Sequence, residues 1–513
     1  MKLSLELKVT KMKKKDKKSI NEEYEIDVYG LPAHIKIYHK SGEFVPSYIV
    51  EFPKIEPATQ AVLDAVRERI ITEMPIKMGE LSSPEEGERV KREFMKRAKE
   101  LIKYELPSID KKMVKMLSGI LVQNSLGLGP LEIMINDKNL EEIVVNSARE
   151  PVWVYHRKYG WLKTNIILES ENVIYNYADM TGRRVGMQIN NLNPLMDAYL
   201  TTGDRVNATL FPISSKGNTL TIRKFARKAW TMTDFISLGT ISLDAAAFLW
   251  CAIQYELNIV VAGGTASGKT SLLNALTIFI PPNQRIISIE DTREIQLPEF
   301  LHWVPMTTRQ PNPEGKGEVT MLQLMINALR MRPDRILVGE IRRSREAEVL
   351  FEAIHTGHSV YSTLHANTAE EAYRRLTNPP INIPPSLLES LQLIAVMHRD
   401  RRRGIRRVLE ISELLVAGGL GQIRIELNDI FRWVPSEDKI IQIKKSQRVS
   451  RDIKLFTGMD EHEFEEDLLE KKLILKWMVK NNVNDINKVG YIVSTYYSEP
   501  EKVMKMIKDE RKV

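Results

Sequence analysis

One short segment constrains the fold of this chain more than any other. The residues Gly263–Thr270 read GGTASGKT and match the pattern GxxxxGK[ST]. An apolar run, Leu257–Ala262, precedes them, and Ser271–Leu276 continues as a helix-forming stretch. A strand, a glycine-rich turn and a helix in that order present backbone N–H groups at a helix N-terminus, where they bind phosphate. The segment therefore predicts a nucleotide site; a plain glycine turn with a surface lysine is the alternative.

Two side chains of this loop have specific expected roles. Lys269 is placed to reach the β- and γ-phosphates, and the hydroxyl of Thr270 is placed to hold Mg²⁺. The loop and the first turn of the helix supply the remaining contacts. The predicted nucleotide-binding residues are Gly263, Gly264, Thr265, Ala266, Ser267, Gly268, Lys269, Thr270 and Ser271.

The second half of the chain alternates short apolar runs with helical stretches. Ile259–Val261, Ile286–Ile289 and Ile336–Val338 are nearly continuous in Ile, Leu and Val. Strands of this kind are typical of a parallel sheet covered on both faces by helices. At the C-terminal end, Leu469, Leu473 and Trp477 recur at helical spacing, which favours a packing face; a groove for a partner is the alternative.

The first 225 residues have a different rhythm. Alternating apolar residues predict short strands between residues 24 and 37, and a helical pattern extends from Pro57 to about Leu106. A further helix is predicted over Met113–Val122, and short β-rich pieces return from Ile143 to Phe225. This part of the chain is predicted to be α+β.

Composition excludes several classes of protein. The longest purely apolar stretch, Ala245–Ile253, is about half of what a bilayer-spanning helix needs. Cys251 is the single cysteine, so an internal disulfide framework and a zinc ribbon of paired cysteines are excluded. The lysine-rich N-terminus does not resemble a signal peptide. These features lead us to expect a soluble, cytoplasmic protein.

The net charge of +7 is concentrated in two clusters. Seven lysines lie between Lys8 and Lys18, and six arginines lie between Arg399 and Arg407. Runs of this kind are often solvated surface, and they also attract anionic lipid headgroups or nucleic acid phosphates. Neither cluster is interleaved with aromatic residues, so base stacking is not indicated.

Carboxylates follow two of the predicted strands. Glu290, Asp291 and Glu294 come after one strand, and Glu340 ends the next. The carboxyl ends of parallel strands are where open α/β sheets bind ligands, and carboxylates there can hold Mg²⁺ or polarise water. The alternative is that these carboxylates only cap the ends of their strands and have no catalytic role. The usual Walker B aspartate is absent, because Gly339 occupies the position before Glu340.

Three histidines, His355, His358 and His365, lie close together in sequence. A zinc site is one interpretation, but Ser359–Ser362 between them reads as a strand. Sensing of the phosphates together with Thr363 is a second interpretation, and buried structural histidines are a third. The glycines of 418–421 lie between two β-like segments and predict a hairpin turn rather than a dinucleotide loop.

At this point the motifs resemble a known family, the secretion or traffic ATPases of type II secretion, type IV pilus and archaellum systems. Four motifs match in order: the loop Gly263–Thr270, an aspartate box Ser288–Glu294, a Walker B-like Leu337–Arg342 and a histidine box Thr356–Asn367. Upstream segments around residues 129–146, 204–206 and 221–225 are also similar to the family. The resemblance covers roughly residues 110 to 420 and is closest to the archaeal branch, in particular the archaellum assembly and motor ATPase.

The resemblance implies a RecA-like P-loop ATPase domain preceded by an α+β N-terminal domain with a PAS-like sheet. It implies ATP and Mg²⁺ as cofactors, Glu294 as general base, and Glu340 as the Walker B carboxylate that holds Mg²⁺ with Thr270. His358 and His365 would be the histidine-box members. Arg205 and Arg223 match arginines that approach the phosphates when the N-terminal domain closes. The implied domains are a basic tail with short strands over 1–56, an N-terminal domain over 57–225, a linker over 226–238 and the ATPase domain over 239–513.

The resemblance further implies a homo-hexamer that works on a polytopic membrane platform protein. Such a motor would be cytoplasmic and peripheral at the inner face of the cell membrane, where anionic lipid is a possible contact. It would drive an archaellum or type IV pilus-like filament, and nucleic acid is not expected as a partner. Two alternatives stay open: a RecA-like DNA translocase that uses the arginine run, and a nucleotide-gated scaffold that does not hydrolyse ATP.

Overall fold

The computed structural model describes residues 19–40, 42–53, 55–74, 84–200, 202–225, 229–312, 314–417 and 424–509. The lysine run Lys8–Lys18 and the predicted glycine turn at 418–421 lie outside these residues. The chain divides near residue 227 into two units, each with its own hydrophobic core. None of the helices within the described ranges is long and apolar enough to cross a lipid bilayer.

The first unit is a nine-stranded sheet with helices, in the order β1-β2-β3-β6-β5-β4-β9-β8-β7. All neighbouring strands are antiparallel except β3 and β6, which pair in parallel. Its strands are β1 Ser19–Val28, β2 Leu31–His39, β3 Ser47–Glu51, β4 Leu140–Val145, β5 Trp153–His156, β6 Gly160–Thr164, β7 Leu195–Tyr199, β8 Arg205–Thr209 and β9 Thr219–Arg223. Its helices are α1 Pro57–Glu73, α2 Pro84–Glu105, α3 Lys111–Leu126, α4 Leu131–Asn136 and α5 Glu171–Arg184.

The expected separation at residue 56 is not what the structure shows. Tyr48 in β3 pairs with Thr164 in β6, so the first three strands continue the sheet of the N-terminal domain. Ile35, Tyr48 and Val50 belong to the same hydrophobic core as the helices that follow. The reason is a strand pairing between positions more than a hundred residues apart, which leaves no local signal in the sequence. Residues 19–53 therefore complete the N-terminal unit rather than precede it.

The second unit is also built on a nine-stranded sheet, in the order β12-β11-β13-β14-β10-β15-β16-β17-β18. The six strands from β12 to β15 in this order are parallel, and the rest are antiparallel. The strands are β10 Ile259–Gly263, β11 Ile286–Glu290, β12 Trp303–Thr307, β13 Arg335–Val338, β14 Ser359–Leu364, β15 Leu393–Asp400, β16 Ile405–Ala417, β17 Arg424–Val434 and β18 Lys439–Gln442. The predicted α/β fold, with an α+β unit before it, is confirmed.

Helices cover both faces of this sheet and follow it at the C-terminus. They are α6 Met232–Ser237, α7 Leu243–Gln254, α8 Lys269–Thr277, α9 Met321–Ala328, α10 Ser344–His355, α11 Ala369–Thr377, α12 Pro385–Leu388, α13 Arg448–Thr457, α14 Glu461–Lys480, α15 Ile486–Ser498 and α16 Pro500–Lys508. Separate hydrophobic clusters form on the two sides of the parallel strands, because both faces of those strands are apolar.

Two expectations about helices need correction. Part of the expected linker 226–238 is α6, which begins with a capping box between Thr231 and Asp234 and buries Met232 in the core of the second unit. The C-terminal stripe is only partly a packing face: Trp477 is buried, whereas Leu469 and Leu473 are exposed. The buried side of α14 instead includes a lysine, which a search for apolar periodicity does not detect.

Candidate nucleotide site

The loop predicted to bind phosphate joins β10 to α8 at the carboxyl edge of the parallel strands. Gly268 occupies the N-cap position of α8 with φ of 99°, a left-handed conformation that favours glycine. Gly263 is packed closely, because a Cβ added there would lie 2.5 Å from Ser267 Oγ and 2.6 Å from the Met397 carbonyl oxygen. The glycines of the motif are therefore required by backbone conformation and by contact.

Three donors of the loop converge on a single acceptor, the carbonyl oxygen of Gly264. Lys269 Nζ donates to it at 3.1 Å, Ser267 Oγ at 2.9 Å and the Ser267 N–H at 3.3 Å. The Lys269 side chain is buried, although its ammonium group carries a charge. An ammonium, a hydroxyl and a backbone N–H around one oxygen form a donor set that suits phosphate oxygens. Thr270 and Ser271 lie in the first turn of α8.

His365 and Glu340 lie beside the loop at the ends of neighbouring strands. His365 Nε2 is 3.4 Å from Lys269 Nζ and 3.8 Å from Glu340 Oε1. Burial, and then the positive charge of Lys269, lower the pKa of His365 from its ordinary value. The lowered pKa favours the neutral imidazole, which can donate one hydrogen bond and accept another between the Lys269 cation and the Glu340 carboxylate.

Arg342 binds the carboxylates of two sequence motifs. It donates to Glu340 Oε2 from Nη2 at 2.7 Å and from Nε at 3.0 Å, and Nη1 donates to Asp291 Oδ2 at 2.8 Å. This fork holds the aspartate box and the Walker B-like strand end together. No sequence pattern predicts this role for Arg342, although Arg342 ends the Walker B-like motif two positions after Glu340.

Glu290 is the deepest acid of the aspartate box. Its Oε1 accepts the backbone N–H groups of Glu294 at 2.9 Å and Ile295 at 3.0 Å. Its Oε2 is buried and has no hydrogen-bond partner among the described residues. Burial raises the pKa of Glu290 from its ordinary 4.5 to about 7. Glu290 therefore fixes the backbone at Glu294, a role that the strand-end position alone does not reveal.

The two histidine-box members occupy different environments. His358 lies in the turn after α10, where its Nδ1 is 3.2 Å from the Ala353 carbonyl oxygen and 3.3 Å from Thr356 Oγ1. Thr363 donates to the Gly339 carbonyl oxygen at 2.5 Å, which ties β14 to the residue before Glu340. Of the two histidines, the contacts place His365 at the loop. No group of three metal-ligating side chains is found in the part of the chain that the structure describes.

Arg205 and Arg223 lie side by side in the first unit. They are directly opposite each other on the antiparallel strands β8 and β9. Arg205 is held by the Asp197 carboxylate, with Nε to Oδ1 at 2.8 Å. The positive charge of Arg223 opposes the effect of burial on Glu142, whose pKa is raised. The two arginines thus place two positive charges next to each other on the sheet of the N-terminal unit.

The P-loop, its buried lysine and the carboxylates at neighbouring strand ends define a P-loop ATPase of RecA-like fold. Comparison with known proteins identifies the family: residues 125–401 match the Type II/IV secretion system protein family, and the chain belongs to it. The resemblance inferred from the motifs is thereby confirmed, as is the assignment of the chain as an ATPase.

Individual relatives span much of the chain. The uncharacterized protein MJ0900 of Methanocaldococcus jannaschii is 35% identical over 74% of this chain and 69% of its own length. The type IV secretion system protein PtlH of Bordetella pertussis is 32% identical over 55% of this chain and 91% of its own length. Among solved structures, the VirB11 ATPase of the Brucella suis type IV secretion system is 26% identical over 55% of this chain and 91% of its own, with a TM-score of 0.29.

Proposed function

We propose that this chain is a Mg²⁺-dependent ATPase motor that drives an archaellum or type IV pilus-like filament at the cytoplasmic membrane. Membership of the family supports an ATP-driven role in a membrane-associated machine. The convergence of Lys269, His365 and Glu340 at the P-loop is the observation that carries the enzymatic part. The archaellum or pilus assignment rests on the resemblance of the motifs.

Each step of the proposed reaction uses side chains at the carboxyl edge of the sheet. Lys269 exchanges its bond to the Gly264 carbonyl for the β- and γ-phosphate oxygens when ATP binds. Glu294 acts as general base and takes the proton of the attacking water, while Glu290 holds the backbone at Glu294 in place. As the proton passes to Glu294, the water oxygen forms a bond to the γ-phosphorus, the bond from that phosphorus to the β–γ bridging oxygen breaks, and ADP leaves with inorganic phosphate as the other product.

The resemblance to the family also proposes a role for two arginines of the N-terminal unit. Arg205 and Arg223 would neutralise charge on the γ-phosphate during hydrolysis. His358 and His365 act as the histidine-box members. His365 lies between Lys269 and Glu340, so a change in the contacts of Lys269 with the phosphates would change the position of His365 relative to Glu340. Closure driven by ATP would then perform work, limited by the difference in ATP affinity between the open and closed states.

Magnesium fits the oxygen donors of this site. The Thr270 hydroxyl, in the first turn of α8, and the Glu340 carboxylate, at the end of β13, would hold it. The ion would supply positive charge that screens the phosphates. Arg342 keeps the Glu340 carboxylate oriented at the strand end.

The partners are proposed to be further copies of this chain in a hexamer and a polytopic membrane platform protein. The test is a pull-down from native membranes with the Glu294→Gln protein, which should bind ATP and hydrolyse it slowly. Lys269→Ala, which should not hold the nucleotide, is the matched control. Retention of a polytopic membrane protein by the Glu294→Gln protein alone, together with filament components, would support the proposal. Equal recovery with both variants would contradict an ATP-dependent motor.

A DNA translocase is a second candidate because Arg401, Arg402 and Arg403 are exposed in the turn between β15 and β16. The two functions differ in what stimulates hydrolysis. ATPase activity stimulated by DNA, with a steep dependence on salt, would favour the translocase. Stimulation by vesicles containing anionic lipid, without an effect of DNA, would favour the membrane motor. Measurable steady-state turnover would exclude a scaffold that does not hydrolyse ATP.

A further inference from the structure

The hairpin formed by β15 and β16 lies directly behind the phosphate loop. Strand β10, which leads into the loop, pairs in parallel with β15, and Gly263 is in register with Met397. A Cβ at Gly263 would lie 2.6 Å from the Met397 carbonyl oxygen, and one at Gly268 would lie 3.3 Å from Met397 Cε. Both ends of the loop are therefore in close contact with this hairpin.

One arginine of the hairpin reaches the middle of the loop. Arg406 Nε donates to the Ala266 carbonyl oxygen at 3.2 Å, across 140 positions of sequence. Its Cδ is 3.6 Å from the position of a Cβ at Gly268. Ala266 has φ of 57°, a left-handed conformation that is unfavourable for a residue with a side chain. The arginine therefore binds the loop at its strained non-glycine residue.

The Arg406 backbone is itself held firmly. Arg407 Nη1 donates to the Arg406 carbonyl oxygen at 2.8 Å, and the Arg407 guanidinium forms two bonds to Asp438 at 2.8 and 2.7 Å. Trp433 Nε1 also donates to Asp438, at 3.0 Å. The bonds from Arg407, more than any other contact, lower the pKa of Asp438 to about 2. The side chain of Arg406 thus projects toward the loop from a fixed support.

The geometry of a peptide explains why this contact matters for the nucleotide. A trans peptide directs its carbonyl and the next N–H to opposite sides. With the Ala266 carbonyl bound by Arg406, the Ser267 N–H is directed toward the Gly264 carbonyl, where Lys269 Nζ also donates. That N–H belongs to the donor set that suits phosphate oxygens. Loss of the arginine would leave the peptide free to rotate this donor away.

We propose that Arg406 is a positioning residue for the nucleotide: it binds the Ala266 carbonyl and so keeps the Ser267 N–H directed toward the Gly264 carbonyl, on the side of the peptide from which it can donate to a bound phosphate. The inference rests on the phosphate loop as the nucleotide site and is independent of the filament role. Arg406 would then have a role different from the one considered for the rest of the arginine run, which is binding of anionic lipid or nucleic acid. The exposed arginines at the tip of the same hairpin provide matched controls.

The test compares Arg406→Met, which keeps length and loses the donor, with Arg406→Lys, which keeps a donor, and with Arg402→Met at the hairpin tip. Titrations with fluorescent ATP and ADP give affinities, and steady-state hydrolysis gives KM and kcat. Arg406→Met should weaken ATP and ADP alike by about tenfold, the value for loss of a charged hydrogen bond, and raise KM with little change in kcat. Arg406→Lys should recover part of the affinity, and Arg402→Met should match the unmodified protein.

Three outcomes would overturn the proposal. Unchanged affinity of Arg406→Met for both nucleotides would show that the contact with Ala266 does not position the loop. Loss of ATP binding with unchanged ADP binding would show a direct contact with the γ-phosphate. Equal weakening by Arg402→Met would show a general effect of charge. Thermal unfolding of each variant, measured with the titrations, shows whether the protein is folded, and Arg406→Lys tests the proposal even if Arg406→Met does not fold.

Discussion

Substitution of Glu290 by glutamine tests the electrostatics of the site in the nucleotide-free protein. Glu290 is buried, its Oε1 accepts two backbone N–H groups, and its Oε2 has no partner among the described residues. Burial raises its pKa from 4.5 to about 7, which corresponds to about 3 kcal/mol. Because the folded state favours the protonated acid, the associated stability is present below pH 4.5 and is lost as pH rises through about 7.

The Glu290→Gln variant removes the ionisation and keeps an oxygen that can accept both N–H groups. At pH 4, below both pKa values, the variant and the unmodified protein should therefore unfold at nearly the same temperature. At pH 8.5 the variant should be more stable by up to about 3 kcal/mol, a rise of roughly 5 to 10 °C in the midpoint of unfolding of the second unit. The amide –NH₂ group can reduce this gain if it finds no acceptor.

Thermal unfolding, followed at several pH values without nucleotide, measures this difference. Glu299→Gln is the control, because Glu299 is exposed in the same segment and its side chain stays in water in both states. A Glu290→Gln variant that is no more stable than the unmodified protein at pH 8.5, with no gap opening as pH rises, would refute the reasoning. ATP hydrolysis by the variant should persist, since the backbone contacts to Glu294 are retained.

Two further predictions concern a glycine and a buried ion pair. Gly268→Ala should weaken ATP binding by about tenfold or more, because φ of Gly268 is 99° and the added Cβ would contact Met397 Cε. Gly404→Ala is the control: φ of Gly404 is 68° and no atom beyond its chain neighbours lies within 4 Å of the added Cβ, so ATP binding should be unchanged in the same titration. Lys471→Met should destabilise the second unit by about 3 to 5 kcal/mol in denaturant unfolding, because Asp467 loses its buried cationic partner. The added substitution Asp467→Asn should restore part of the loss, because it removes the unpaired charge and keeps an acceptor for the hydroxyls of Tyr255 and Tyr496.

Local sequence patterns are sufficient to predict the parallel sheet and the phosphate loop. The apolar runs at β10, β11 and β13 are continuous because both faces of those strands are buried, and the loop glycines fix its conformation. Pairing between distant strands leaves no local pattern in the sequence, and for this reason the sequence alone predicts β1 to β3 outside the N-terminal domain. Helical periodicity marked Leu469 and Leu473 as a face of α14 without showing which face is buried, since the buried face contains Lys471.

The sequence predicts which residues belong to the site better than it predicts the contacts between their side chains. Lys269, Glu340 and His365 lie together because their strands end at the same edge of the sheet. The roles of Glu290, Arg342 and Arg406 depend on side-chain direction, which strand position does not determine. Arg406 in particular belonged to a charge run that suggested an exposed surface, whereas its side chain contacts the phosphate loop.

The most direct test of the ATPase mechanism is steady-state ATP hydrolysis, measured with ATP binding on the same preparations. The unmodified protein should hydrolyse ATP in the presence of Mg²⁺. Lys269→Ala should abolish turnover because the phosphates lose their main cation, and Glu294→Gln should slow hydrolysis far more than it weakens ATP binding. Undiminished hydrolysis in either variant would contradict the assignment of the nucleotide site and its general base.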